Sequence, residues 1–197
     1  MKSRSSRRTF IATGLALPAA ALASVPRPAT QQPKTPQAPS GGPLTGTGQG
    51  GGLRYRTLGK TGLKVTSVGF GCMITSDPSV VQKAADIGIT YFDTARAYQG
   101  GNNERMVGTA LKAKRKDIIL STKSMARTAA QATADLETSL TELGTDHVDI
   151  WYMHARDNAA AIPDELFAVW ENAKKQGKAR FIGVSTHNPS AIVDRVL

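Results

Sequence analysis

Four side chains in this sequence are of types that can move a proton when brought together: Asp93, Tyr98, Lys123 and His154. A free phenol titrates near ~10 and is a reluctant acid at neutral pH. A neighbouring ammonium stabilises the phenolate and eases proton release, and a carboxylate can hold and pair that ammonium. An imidazole beside them can donate a hydrogen bond to a substrate oxygen and orient it. The set therefore suits protonation of a carbonyl oxygen, with Tyr98 as general acid assisted by Lys123, Asp93 and His154. The hydride for such a reduction has to come from a cofactor, because no side chain delivers one. Singly, each residue has a plainer reading: an Asp after a strand caps a turn, a Lys there is solvated, a loop Tyr packs, and a lone His is structural. Their placement at the ends of consecutive strands gives them weight.

From residue 53 the sequence alternates between strand and helix patterns. Arg54–Leu58 and Leu63–Val65 flank Gly59-Lys60-Thr61-Gly62 and read as a β-hairpin. Thr66–Gly71 reads as a first strand. Asp77 is a candidate N-cap, with Pro78 at the first helical position and an apolar stripe through Ile87 before Gly88. Ile89–Phe92, Asp117–Thr122, Val148–Met153 and Arg180–Val184 read as four further strands. Between them, helices are expected over Asn103–Lys114, over Thr128–Leu143 and from Pro163 to Gly177, and a fifth starts at Pro189.

Strict βα alternation implies a parallel sheet covered by helices. A doubly wound nucleotide-binding sheet would carry G-x-G-x-x-G after its first strand. Here Gly69-Phe70-Gly71 runs into Cys72, Met73 and Ile74, so the third glycine is missing. The pattern instead favours a (β/α)8 TIM barrel. In that architecture every strand ends at the same mouth, where catalysis sits. Asp93 directly follows the second strand, Tyr98 lies in the loop after it, and Lys123 and His154 directly follow the third and fourth.

The net charge of +10 is unevenly spread. Six of the 25 basic residues and no acidic one lie in residues 1–52, which leaves 19 basic against 15 acidic in the rest. The tightest basic group, Lys112, Lys114, Arg115 and Lys116, reads as a solvated helix end, so a nucleic-acid partner is not expected. The single cysteine, Cys72, excludes an internal disulfide, and no cluster has metal-ligand spacing.

Residues 1–23 combine a basic start, an apolar run from Ile11 to Ala23 and a small-x-small end at Ala21-Leu22-Ala23. The run is too short to span a bilayer and reads as a signal peptide. Arg7-Arg8 followed by Phe10 resembles a twin-arginine signal, which implies the twin-arginine export machinery as a partner, a periplasmic or extracellular location, and no stable membrane anchor after cleavage. Residues 24–52, rich in Pro, Gly, Gln and Thr, read as a disordered linker, and Gly46-Thr47-Gly48-Gln49-Gly50 within it lacks the strand and helix of a nucleotide-binding loop.

Residues 53–197 resemble the aldo-keto reductase family in order and spacing. Thr57–Val65 resembles its N-terminal hairpin, and Val68-Gly69-Phe70-Gly71-Cys72-Met73 its first strand. Tyr91-Phe92-Asp93-Thr94-Ala95-Arg96-Ala97-Tyr98 with Gly101-Asn102-Asn103-Glu104 resembles its most recognisable signature. Ser121-Thr122-Lys123, Val148–His154 and Gly177–Ser185 complete the match. The resemblance implies a tetrad of Asp93, Tyr98, Lys123 and His154. It also implies NADP, or less often NAD, lying across the barrel mouth, and a small carbonyl compound as substrate. Gly71, Cys72 and Met73 would lie by the nicotinamide ribose, with Asp93 beside them. Ser185 would hold the carboxamide together with Thr186, which stands where the family has an asparagine and offers a hydroxyl in place of an amide.

A complete barrel needs about 250 residues. The 197 residues less the first 52 leave 145, enough for about five of eight βα units. The expectation is an N-terminal fragment of a longer product, prone to aggregate through unpaired strand edges and a poor cofactor binder alone. Two other readings remain open: a cofactor-sensing regulatory subunit, and an inactive truncated remnant. Export adds the expectation of a tightly held cofactor recycled by two substrates, since fresh NADPH has no obvious supply outside the cytoplasm.

Overall fold

Alternating apolar strands and one-sided helices leave the chain few ways to bury its surface, and the computed structural model, which describes residues 52–197, takes the parallel one. The expected signal peptide, and all but the last residue of the expected linker, lie outside the described residues. Strands β1 (Tyr55–Thr57) and β2 (Lys64–Thr66) pair antiparallel as a hairpin. Thr61 closes its turn, donating from Oγ1 to the Leu58 carbonyl at 2.5 Å and accepting from the Leu63 amide at 3.1 Å.

Five parallel strands follow: β3 (Phe70–Gly71), β4 (Tyr91–Asp93), β5 (Ile119–Ser124), β6 (Val148–Met153) and β7 (Ala179–Val184). Their order in the sheet is their order in the chain, β3-β4-β5-β6-β7. That is the winding of a barrel, since a doubly wound sheet turns back part-way and continues on the other side of its first strand. Helices α1 (Pro78–Asp86), α2 (Asn102–Leu111), α3 (Ala129–Leu143) and α4 (Asp164–Lys175) fill the crossovers, and a short α5 spans Val193–Val196. The described residues thus form five βα units of a (β/α)8 barrel, with β3 and β7 at the two margins.

Asp77 caps α1 by accepting from the Ser79 amide at 2.8 Å, and Thr128 caps α3 by accepting from Gln131 at 3.3 Å. Several features differ from the sequence expectation. Thr66 joins β2, held there by reciprocal bonds with Thr90, so β3 is only two residues long. Helix α2 gives way at Lys112 to a 3-10 turn. Pro189 opens a 3-10 turn instead of a full helix, and Ile192, at φ −125°, separates it from α5. Arg115 is not a solvated helix end. It pairs with buried Asp149 at 3.1 Å and donates to the His147 carbonyl, while Arg180 takes the other Asp149 oxygen at 2.6 Å. A buried carboxylate demands such partners, and these guanidiniums supply them.

The outer face of the sheet presents Phe92, Leu120, Trp151 and Met153 to the helices, where Val81, Val107, Leu136, Leu166 and Trp170 meet them. Trp151 and Trp170 stack with centroids 4.1 Å apart, and the Trp170 indole donates to the Trp151 carbonyl at 3.2 Å. On the inner face, Ile119 and Ile150 pack against Leu63, so the hairpin covers the N-terminal end of the interior. Among the described residues no helix is long and apolar enough to cross a membrane.

Replacing the wholly buried Trp170 removes both the stack and the hydrogen bond. Trp170→Ala is expected to destabilise the fold by about 3–5 kcal/mol, measured as a drop in the denaturation midpoint at unchanged slope.

Candidate active site

Parallel strands deliver their last residues to one rim, and three of the four candidate side chains arrive there from neighbouring strands. Asp93 ends β4, Lys123 is the penultimate residue of β5, and His154 follows β6. The structure thus extends β4 and β5 past the expected strand ends, because parallel pairing of Asp93 with Ser121 and of Lys123 with Tyr152 continues the ladder. Tyr98 arrives differently, on a 3-10 turn after β4.

Three of the four, Asp93, Tyr98 and Lys123, meet around the lysine nitrogen. Lys123 Nζ donates to Asp93 Oδ2 at 2.5 Å, to the Thr94 carbonyl at 2.8 Å and to Tyr98 Oη at 3.1 Å. An ammonium has three protons and no lone pair, so these three acceptors use all of its capacity. The Tyr98 oxygen is therefore an acceptor from lysine, and its own proton points elsewhere. The same ammonium lies 4.7 Å from the centre of the phenol ring. His154 closes the group edge-on to that ring, with centroids 5.8 Å apart at 80°.

Burial sharpens these charges. Lys123 is 7% exposed, and the carboxylate beside it is what makes a buried ammonium tolerable. His154 is pushed below the ordinary histidine range, first by burial and then by the Lys123 charge, with Asp93 opposing. It is thus a neutral imidazole at neutral pH. Its Nδ1 lies 3.1 Å from Ser185 Oγ, and that oxygen also accepts from the Ala155 amide at 2.9 Å.

Among the described residues two outside glycine adopt positive φ, and each directly follows a member of the group: Gln99 after Tyr98 and Ala155 after His154, both at 52°. This region is unfavourable for side chains with a Cβ and persists only where surroundings impose it. Gln99 is held by Nε2 donating to the Met73 and Thr75 carbonyls at 3.2 and 2.8 Å. The turn carrying Tyr98 is braced from beneath by Arg96, which pairs with fully buried Glu104, itself bonded by Thr122 at 2.6 Å. Gly101 completes the brace: at φ 94° it sits so close to Arg96 that a Cβ would overlap the guanidinium.

A cleft of about 370 Å3 opens beside the group, lined by Gly69, Phe70, Gly71, Tyr91, Asp93, Lys123, Tyr152 and Ser185. The other expected cofactor residues fall into distinct places. Gly71 and Ser185 line the cleft, and Met73 is half exposed. Cys72 points the other way into the core, its thiol pushed up to about 12 chiefly by burial. Its amide is spent on the Asp93 carbonyl and its carbonyl on Asn103. Thr186 donates to Asp157 at 3.0 Å and accepts from the Asn188 amide at 2.9 Å, building a turn outside the cleft lining. Tyr91, Ser121 and Tyr152 were not expected. Each stands two residues before a member of the rim group, and a period of two is the signal that identifies them.

Comparison with known proteins is consistent with this geometry. The model of the Aldo/keto reductase family matches residues 76–196. An uncharacterized oxidoreductase of Bacillus subtilis, YqkF, is 34% identical over 164 residues, covering 73% of this chain and 52% of that protein. The L-galactose dehydrogenase of Arabidopsis thaliana is 34% identical over 154 residues, 68% of this chain and 48% of the plant enzyme. Among solved structures, the holo form of an aldo-keto reductase from Bacillus halodurans superposes with TM-score 0.67 at 33% identity, covering 72% of this chain and 53% of that one. The chain spans about half the length of the curated relatives it matches.

The electrostatics of His154 can be measured directly. Its imidazole is expected to titrate by NMR with a midpoint below 6.5. Lys123→Met should move that midpoint upward, since the repelling ammonium is gone. A midpoint at or above 6.5 in the parent contradicts the burial assigned here.

Proposed function

The chain belongs to the aldo/keto reductase family, and we propose that the full-length protein is an oxidoreductase that reduces aldehydes or ketones to alcohols with NADPH, or with NADH, Tyr98 being the general acid. One observation carries the reading: all three protons of the Lys123 ammonium are spent, one of them on Tyr98 Oη. The phenol proton is thereby left free to face the mouth.

The cleft suits a flat cofactor ring. A Cβ built at Gly71 would meet no atom of the described residues within 4 Å, so the floor there is bare. Gly71 and Ser185 are the residues that would hold the nicotinamide end, with Asp93, its two oxygens committed to Lys123 and Ser121, beside them. Ser185 Oγ accepts one amide proton and donates to or accepts from His154, which leaves it capacity for one more partner. Thr186 lies outside the cleft lining and the polar atoms of Cys72 are occupied within the protein, so neither is assigned a polar contact. When bound, the nicotinamide supplies the hydride.

The rest of the chemistry belongs to the chain. His154 is neutral, and with its Nδ1 accepting from Ser185 its remaining proton sits on Nε2; we assign this tautomer because it leaves a donor facing the mouth. That donor orients the carbonyl oxygen toward Tyr98. As negative charge grows on that oxygen, the phenol gives up its proton, and the ammonium 3.1 Å away stabilises the phenolate left behind. Asp93 keeps the ammonium in place throughout. In the reverse direction the phenolate takes the proton of an alcohol.

We place the mature enzyme outside the cytoplasm, on the strength of Arg7-Arg8 and the apolar run that follows. Export in the folded state would let the cofactor be loaded first.

Tyr98→Phe keeps the ring and removes the acid. It is expected to lower carbonyl turnover by about 10²–10⁴-fold while leaving nicotinamide binding, followed by fluorescence titration, within about twofold of the parent. A parent that binds the nucleotide yet reduces no aldehyde or ketone would rule out the assignment.

A further inference from the structure

A barrel interior is ordinarily packed with branched apolar side chains. Directly below Asp93 and Lys123 this one is lined with hydroxyls instead. Ser121 Oγ lies 2.6 Å from Asp93 Oδ1, 3.1 Å from Tyr91 Oη and 3.4 Å from the Phe92 carbonyl. Tyr91 Oη in turn lies 3.3 Å from Tyr152 Oη. Ser121 is wholly buried, and both phenols belong to the cleft wall.

The direction of these bonds follows from proton counting. A serine hydroxyl has one proton, and the carboxylate is both its shortest and its only charged acceptor, so the proton goes there. The contact with Tyr91 is then made by the phenol's own proton, and Tyr152 supplies the bond to Tyr91. Every hydroxyl in the chain donates toward the Asp93 charge, and each bond polarises the next. Burial raises the titration of the Tyr152 phenol, with Tyr91 adding to the effect, so Tyr152 stays a donor.

A steric observation, independent of the hydrogen bonds, marks the same level of the interior. A Cβ on Gly69 would stand 2.8 Å from Tyr91 Cδ1, and one on Gly183 would stand 2.7 Å from Tyr152 Cε1. Neither glycine has a positive φ, so space and not conformation accounts for them. The segment entering β3 and the strand β7 both forgo a side chain where the two rings lie.

We propose that Ser121, Tyr91 and Tyr152 are positioning residues: a hydroxyl layer that fixes one oxygen of Asp93 so that the other meets Lys123 and aims the ammonium at Tyr98. The proposal deepens the carbonyl-reduction reading and rests on it for its kinetic consequence. With Ser121 gone, Asp93 Oδ1 loses its nearest donor and the carboxylate is free to turn about its last bond. Lys123 then keeps its charge but loses its fixed direction, which a cofactor bound above would not sense.

The test uses the full-length protein and its Ser121→Ala, Tyr91→Phe and Tyr152→Phe variants. Steady-state kinetics with NADPH and an aldehyde, nucleotide binding, thermal melting and the nitrogen-15-edited ammonium signal of Lys123 are the readouts. Ser121→Ala is expected to lower kcat about tenfold, to leave nucleotide affinity unchanged and melting within about 2 °C, and to broaden the ammonium signal. Each phenylalanine variant keeps its ring and is expected to lower kcat about threefold. The proposal is overturned by parental kcat with an unaltered ammonium signal. It is equally overturned if kcat, nucleotide affinity and melting temperature all fall together, which marks simple packing. A parent without turnover whose ammonium signal still broadens on Ser121→Ala defeats carbonyl reduction and leaves the hydroxyl layer standing.

Discussion

A buried ammonium must spend every proton it has, and Lys123 does so on a carboxylate, a backbone carbonyl and a phenol. The rest of the site follows from this constraint. The carboxylate must end the strand on one side of the lysine, the carbonyl must belong to the very next residue, and the phenol must be carried over the pair by a turn. Because Asp93 and Thr94 are consecutive, one strand end provides two of the three acceptors. The third is a side chain that is not part of the ion pair with Asp93, which is why a phenol able to change its protonation state can occupy it.

The scaffold serves that arrangement on both sides of the sheet. On the outer face, apolar packing of Phe92, Leu120 and Trp151 against the helices fixes where the strands end. On the inner face the side chains fall in levels. Ile119, Ile150 and Phe181 lie lowest, against the hairpin; Tyr91, Ser121, Tyr152 and Gly183 lie above them; Asp93, Lys123, His154 and Ser185 form the rim. The progression from apolar to hydroxyl to charged moves outward toward solvent, so each ionised group has a polar neighbour below it instead of hydrocarbon.

Much of this was legible in the chain. Period-two strands, stripes at helical spacing, the Asp77 cap and glycines such as Gly88 and Gly177 gave the βα alternation, and strand ends gave the rim residues Asp93, Lys123 and His154. The strand limits were less legible, since Lys123 lies inside β5 and Thr66 belongs to the hairpin. Pairing with a neighbouring strand decides such limits, and pairing is not written in either segment alone. The placement of Thr186 was also hidden. Adjacent residues of an extended chain face opposite ways, so a motif read as a contiguous string assigns to one ligand side chains that point to different sides. The hydroxyl level was hidden for the opposite reason. Its residues are scattered through three strands and become a set only when each is counted two places back from the rim.

The left-handed backbone at Ala155 has a further consequence. His154 is tied to β5 through its amide, and Ala155 is tied to Ser185 through its own, so the chain is clamped at a left-handed bend at the mouth. The bonds that fix the imidazole come from β5 and from Ser185, and none comes from the loop beyond Asp157. Insertions or exchanges between Asn158 and Ile162, none of which lines the cleft, can change the loop while the proton-handling atoms stay where they are. A fold clamped in this way can let its loops drift without the chemistry having to be rebuilt each time.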